Sequence, residues 1–125
     1  MISPERTFTL ERRSVGAATF LYVDGALRLG HREASTGRQL SDAVKDVVGT
    51  GVERVAIDLR GLVKTPDSSG LGELVAADSA LRQRGGRLVL VNVPPKLRTL
   101  IGSLGLDRLF TIVDTEAEAM ALFGR

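Results

Sequence analysis

Residues 58–72 read Asp58-Leu59-Arg60-Gly61-Leu62-Val63-Lys64-Thr65-Pro66-Asp67-Ser68-Ser69-Gly70-Leu71-Gly72. The short apolar run before and into it, Val55-Ala56-Ile57-Asp58-Leu59, has one polar interruption and is read as a buried strand ending near Leu59. Beyond it, Leu71, Leu74, Val75 and Leu81 share one face of a helix that starts near Ser69. Asp67, Ser68 and Ser69 are all good N-cap residues, and Gly70 allows a close backbone approach. A helix start carries unpaired N–H groups and the positive end of the macrodipole, so it favours an anion. A phosphate on Ser68 or Ser69 would be accommodated locally, yet would show roughly two new negative charges to anything docked there. Taken as pattern alone, Asp67 to Gly70 is a plain cap.

Working outward, the chain alternates strands and helices. Toward the N-terminus, Thr7-Phe8-Thr9-Leu10-Glu11 alternates polar and apolar residues, and Thr19-Phe20-Leu21-Tyr22-Val23 forms a second strand, with a hairpin through Ser14 to Gly16 between them. Gly25, Gly30 and Gly37 break the next stretch into a loop. From about Thr36 the period becomes helical, with Leu40, Ala43, Val44, Val47 and Val48 in phase and Gly49 and Gly51 as the stop. Toward the C-terminus, Gly85-Gly86 ends the helix begun at Ser69, and Arg87 to Asn92 is a strongly apolar strand. Pro94-Pro95 opens a helix whose buried stripe is Leu97, Leu100, Ile101 and Leu104. Phe110 to Val113 is a last short strand, and Asp114 or Thr115 caps a final helix through Phe123. The order ββαβαβαβα makes this an α/β fold with a mixed, largely parallel sheet of four or five strands. The expectation is one domain over residues 1–125, with only residues 1–6 loosely ordered.

Composition narrows the function. The 125 residues carry 17 Lys and Arg against 15 Asp and Glu, so the net charge of +2 is a small surplus without a basic stripe. Aromatic residues make up 4%, too few for the stacking platforms of a nucleic-acid binder. There is no cysteine, which excludes disulfides and thiolate metal sites, and the one histidine, His31, cannot build a His-rich site. The polar start, Met1 to Arg6, lacks the apolar core of a signal peptide, and no apolar run approaches a bilayer span. The cytoplasm is the expected location, and no cofactor is expected.

The set of motifs resembles the STAS family, named for sulfate transporters and anti-sigma factor antagonists. It runs through Val55 to Leu62, Asp67 to Leu74, Gly85 to Asn92 and Gly105 to Phe110, and covers roughly residues 7–123. The resemblance implies a sheet with helices packed on one side. In phosphoregulated members the first serine after the aspartate is the acceptor, which here is Ser68. By the same resemblance, Asp67 caps the helix and helps bind the kinase or its nucleotide-bound magnesium, and Ser69 supports the cap. Asp67, Ser68, Ser69, Gly70 and Leu71 are then the expected partner-binding residues, with most of the docking face on the helix from Ser69 to Arg84. The implied partners are an anti-sigma factor, a serine kinase of the histidine-kinase-like ATPase class, and a serine phosphatase that resets the switch. Thr65-Pro66 departs from the bulky apolar pair the family usually places before the aspartate, Lys64 puts a cation near the site, and Gly30 to Gly37 is longer than the usual loop.

Two other functions fit the same residues. One is a non-phosphorylated STAS subunit of a lipid ABC transporter or a signalling assembly. The other is a small-ligand sensor using the helix end at Gly70 as an anion site. Enzymatic hydrolysis through His31 has no support in spacing, because a base needs both a nucleophile and an orienting acid within reach. Asp58 is read as a strand-end carboxylate that satisfies loop N–H groups, not as a catalyst.

Overall fold

The computed structural model describes residues 9–25, 36–62 and 68–124. A five-stranded sheet runs in the order β1-β2-β3-β4-β5, formed by β1 (Thr9–Val15), β2 (Ala18–Gly25), β3 (Arg54–Leu62), β4 (Arg87–Val91) and β5 (Thr111–Val113). Only the β1–β2 pair is antiparallel; β2 with β3, β3 with β4 and β4 with β5 are parallel. Parallel neighbours need a crossover, and the helices α1 (Thr36–Gly49), α2 (Ser68–Arg82) and α3 (Pro95–Ser103) lie in the three connections, with a short 3-10 turn at Leu106–Arg108 after α3. The last helix, α4 (Glu116–Phe123), follows β5. The α/β class and the element order are those expected from the sequence.

Local chemistry that the sequence advertised ends α2 and opens α3 and α4. Gly85 takes φ +76° and its N–H donates to Arg82 O at 3.0 Å, while the Gly86 N–H donates to Leu81 O at 2.8 Å, so Gly85-Gly86 forms a Schellman stop for α2. A Cβ on Gly86 would lie 2.5 Å from Glu53 O, because the Arg87 N–H donates to that same carbonyl at 2.8 Å to start β4. Pro95 opens α3, and Thr115 caps α4 in a capping box with Glu118.

The main core lies between the sheet and α1, α2 and α3. Leu21, Val55, Ile57, Leu59, Leu88 and Leu90 of the sheet meet Leu40, Val44, Leu74, Leu81, Leu97 and Ile101 of the helices. Each fully buried leucine contributes on the order of 1.5–3 kcal/mol relative to exposure.

Four details differ from the expectations. The hairpin is tighter: Val15 pairs with Ala18 across Gly16-Ala17, and Gly16 takes φ +60°, so both strands run longer than alternation indicated. Strand β3 also continues past Leu59 to Leu62, paired with the end of β2. Leu104 is 56% exposed, since α3 ends at Ser103 and the chain turns through Gly105 at φ +75°; it does not join the buried stripe.

The largest difference concerns the layers: the helices do not all pack on one side. Helix α4 packs on the opposite face, where Ala119 and Phe123 join Ala18, Phe20, Ala56, Val89 and Val91 in a second core. The reason is in the central strands. Residues 55–59 of β3 and 88–91 of β4 are buried at every position, so both faces of the sheet centre need a cover.

Candidate interaction site at the rim of the sheet

Strand β3 leaves the sheet at Leu62, and α2 begins at Ser68. Asp67, with Lys64, Thr65 and Pro66, lies outside the described residues, as do His31 and most of the loop from Gly30 to Gly37. Ser68, Ser69 and Gly70 make the first turn of α2, and that turn contains no acidic residue. Its backbone end carries the positive potential of a helix start.

Leu71 faces inward. It is 3% exposed and belongs to the main core, so its side chain anchors the start of α2 on the sheet instead of facing a partner. Leu74, Ala77 and Leu81 continue that inner face. On the outside, Gly72, Ala76 and Ser79 are exposed and Val75 and Ala80 half-buried.

The other end of α2 is fastened by a buried carboxylate. Asp78, 2% exposed, accepts from Arg82 Nε at 2.7 Å, and Arg82 Nη2 donates to Leu109 O at 2.7 Å. The link ties α2 to the turn that enters β5. Sequence reading passed over it, although the i,i+4 spacing of Asp78 and Arg82 on one helix was the available signal. Its removal leaves a desolvated gap, and Asp78→Ala is expected to lower unfolding free energy by about 1–3 kcal/mol, read from urea denaturation; an unchanged midpoint would contradict the bond.

Asp58 sits at the same rim as the start of α2, but on the α4 face. At 5% exposure, its Oδ1 accepts from the Arg60 N–H at 2.9 Å and its Oδ2 accepts from Asn92 Nδ2 at 3.0 Å. Asn92 has φ +55°, in the left-handed region, at the corner that leads to α3. The carboxylate thus serves a backbone N–H within β3, which runs on to Leu62, where a loop N–H was expected, and it also joins β3 to the β4 corner. Between Tyr22 and Asp24 the β2–β3 register shifts by a bulge, and a Cβ on Gly61 would lie 2.6 Å from Val23 O. Only glycine fits that approach.

Beside the bulge, a cleft of about 300 Å³ is lined by Glu11, Tyr22, Asp24, Asp58, Arg60 and Glu116, among others. Its wall is a clasp between sheet and helix: the Tyr22 hydroxyl donates to Glu116 Oε2 at 2.8 Å and accepts from Arg13 Nη2 at 2.7 Å. Arg13 also pairs with Glu116 at 3.3 Å and lies over the Tyr22 ring, 5.2 Å from its centre. Burial, followed by the hydrogen bond to the Glu116 carboxylate, pushes the Tyr22 phenol up from 10.0 to about 12. The neutral phenol is the favoured form in the folded state. Its stabilisation is complete below the unfolded pKa near 10 and is lost as pH rises toward 12. Tyr22 is the single tyrosine and there is no tryptophan, so phenolate absorbance reports this group alone. In Glu116→Gln the midpoint is expected to fall back toward 10; a midpoint unmoved by the substitution would mean the clasp does not form.

Among the described residues, no three His, Cys, Asp or Glu side chains are grouped to hold a metal ion. No helix among them is long and apolar enough to cross a membrane.

Known proteins share this fold. An anti-sigma F factor antagonist of Paenibacillus polymyxa is 31% identical over 68 residues, which are 54% of this chain and 57% of that protein. The chain thus spans little more than half the length of that relative. The crystal structure of the Thermotoga maritima protein TM1081 superposes with a TM-score of 0.82 at 23% identity, covering 93% of this chain and 95% of that one. The anti-sigma factor antagonist SpoIIAA, a Bacillus cell fate determinant solved in unphosphorylated and phosphorylated forms, superposes with a TM-score of 0.67 at 22% identity, covering 94% of this chain and 97% or more of the other. These structural likenesses establish the fold. The family model described as "Mlab, STAS domain" matches residues 11–114, most of the chain and all of the sheet except its outermost residues, and by that match the protein belongs to the STAS family.

Proposed function

We propose that this protein is an anti-sigma factor antagonist whose docking surface is the start of α2 and whose switch is phosphorylation of Ser68. One observation carries the reading: Ser68 is the first residue of α2, the helix that follows β3, in a first turn without acidic side chains. This is the position at which STAS resemblance puts the acceptor, and the helix end there tolerates a phosphate. The relative in Paenibacillus bears the same functional name, and SpoIIAA exists in both phosphorylation states.

In this reading the unmodified protein binds an anti-sigma factor of the serine-kinase class through Asp67, Ser68, Ser69 and Gly70 and the small-residue outer face of α2. Leu71 contributes by seating the helix. The kinase supplies ATP and magnesium, so this chain is substrate and partner and performs no chemistry of its own. Phosphate on Ser68 adds roughly two negative charges at the centre of the contact, breaking it without disturbing the core below. A phosphatase restores the binding form, and the whole cycle runs in the cytoplasm.

The direct test is incubation with the cognate anti-sigma kinase and ATP, followed by mass spectrometry of the peptide carrying Ser68 and Ser69. Phosphate is expected on Ser68 alone. An unmodified Ser68 in the presence of a kinase active on a control substrate would overturn the reading.

A further inference from the structure

At the opposite end of β3 from the exit toward Ser68 lies a second charged feature that the switch does not use. Arg54 opens β3 and Arg87 opens β4, and the two are register partners on adjacent parallel strands. Their neighbours Val55 and Leu88 belong to the main core, so alternation sends both arginines to the other face, the one that carries α4. Adjacent strands are about 4.8 Å apart. Both side chains are exposed, and among the described residues neither guanidinium has an ion pair or hydrogen bond. Like charges directly opposite each other on a sheet are unfavourable. Nothing on either strand compensates them.

The same two residues line a cleft of about 290 Å³, together with Glu53, Gly85, Gly86, Leu122 and Phe123. The next residue in the row is Ala18, which pairs with Arg54 and leaves the floor low. Two arginines at strand spacing can bring their guanidiniums together as N–H donors to one tetrahedral oxyanion, a task in which arginine outperforms lysine. Glu53 and the C-terminal end of α4 set negative charge against them, and α4 has no basic residue in its own last turn. Two full positive charges still exceed one carboxylate and a partial helix charge.

We infer that Arg54 and Arg87 form a binding site for a phosphate group, inorganic or in a monoester, on the basal edge of the sheet, separate from Ser68. Leu122 and the edge of Phe123 offer apolar contact to the organic part of an ester. The site stands independently of the switch proposed above, because it shares no residue with it.

The experiment is a titration of ¹⁵N-labelled protein with inorganic phosphate and, separately, with phenyl phosphate, at constant ionic strength against chloride. Saturable amide shifts centred on Arg54, Gly86 and Arg87 are expected, with Kd of about 1–10 mM. Arg87→Ala and Arg54→Ala are each expected to weaken binding at least about tenfold, since each removes charge-assisted hydrogen bonds. Glu53→Gln is expected to tighten it about two- to fourfold by removing the opposing charge. Arg60→Ala, which removes an exposed arginine at the other end of β3, leaves it unchanged. Tighter binding of phenyl phosphate assigns the site to monoesters, and equal binding assigns it to the phosphate group itself. Shifts matched by chloride, or binding that survives Arg87→Ala, would overturn the site. So would a fall in thermal midpoint in both alanine variants without any phosphate binding to the parent protein, which would reduce the arginines to screening the end of α4.

Discussion

Ser68→Asp should bind the anti-sigma factor at least about a hundredfold more weakly than the parent protein, a change of about 2.7 kcal/mol. The aspartate puts a fixed charge where α2 begins, and like-charge contact inside a protein interface costs several kcal/mol. The same substitution should leave the fold intact, because a negative side chain at a helix start is favourable for the helix itself. Ser68→Ala should bind normally and take up no phosphate. Surface plasmon resonance with immobilised anti-sigma factor, beside a urea melt of each variant, separates the two effects. Undiminished binding of Ser68→Asp would remove the switch and support a non-phosphorylated STAS subunit, such as one in a lipid transporter or a signalling assembly. The departure at Thr65-Pro66 makes this comparison worth running first, since proline constrains how the chain enters α2.

Phe20→Ala should cost about 3–5 kcal/mol of unfolding free energy. Phe20 is fully buried at the centre of the second core, beneath Ala119 and Phe123 of α4. Few side chains on that face could close the space, because Ala18, Ala56 and Ala119 around it are small. Its ring also stacks on Tyr22, with centres 6.2 Å apart, so the loss should reach the Tyr22–Glu116 clasp and bring the phenol midpoint down. Urea denaturation followed by circular dichroism gives the first number and absorbance titration the second. Leu104→Ala, at the exposed residue after α3, is the control and should stay within about 0.5 kcal/mol. A loss in Phe20→Ala no larger than in that control would mean that α4 does not seal the face.

The strand–helix alternation, the Gly85-Gly86 stop, the proline start of α3 and a cap at Asp114 or Thr115 were all legible in the sequence. Each depends on residues within a turn or two of one another, so local pattern is enough to reveal it. The site was half legible. Its chemistry, an anion-tolerant helix start with two candidate serines, follows from residue types, and family resemblance singled out Ser68. Leu71 falls on the apolar face of α2 by its spacing and among the partner-binding residues by resemblance, and the sheet beneath α2 claims its side chain.

Other features were beyond local reading because they join residues far apart in the chain. The clasp of Arg13, Tyr22 and Glu116 spans 103 residues from Arg13 to Glu116, and the Asp58–Asn92 bond spans 34. The row of Arg54 and Arg87 exists only once β3 and β4 are in register. Helix α4 shows the boundary most clearly. The unbroken apolar runs of β3 and β4 do state that the sheet centre is buried on both faces, and this was a signal that could have been used. Which helix provides the cover was settled by tertiary structure. The sheet face left open by α1, α2 and α3 is apolar, and α4, leaving the edge strand β5, is the element that reaches it with Ala119 and Phe123. By itself the sequence determined the elements, their order and the chemistry of the α2 start. Tertiary packing decided which faces meet, since burying apolar surface on both sides of a sheet depends on contacts that no local pattern encodes.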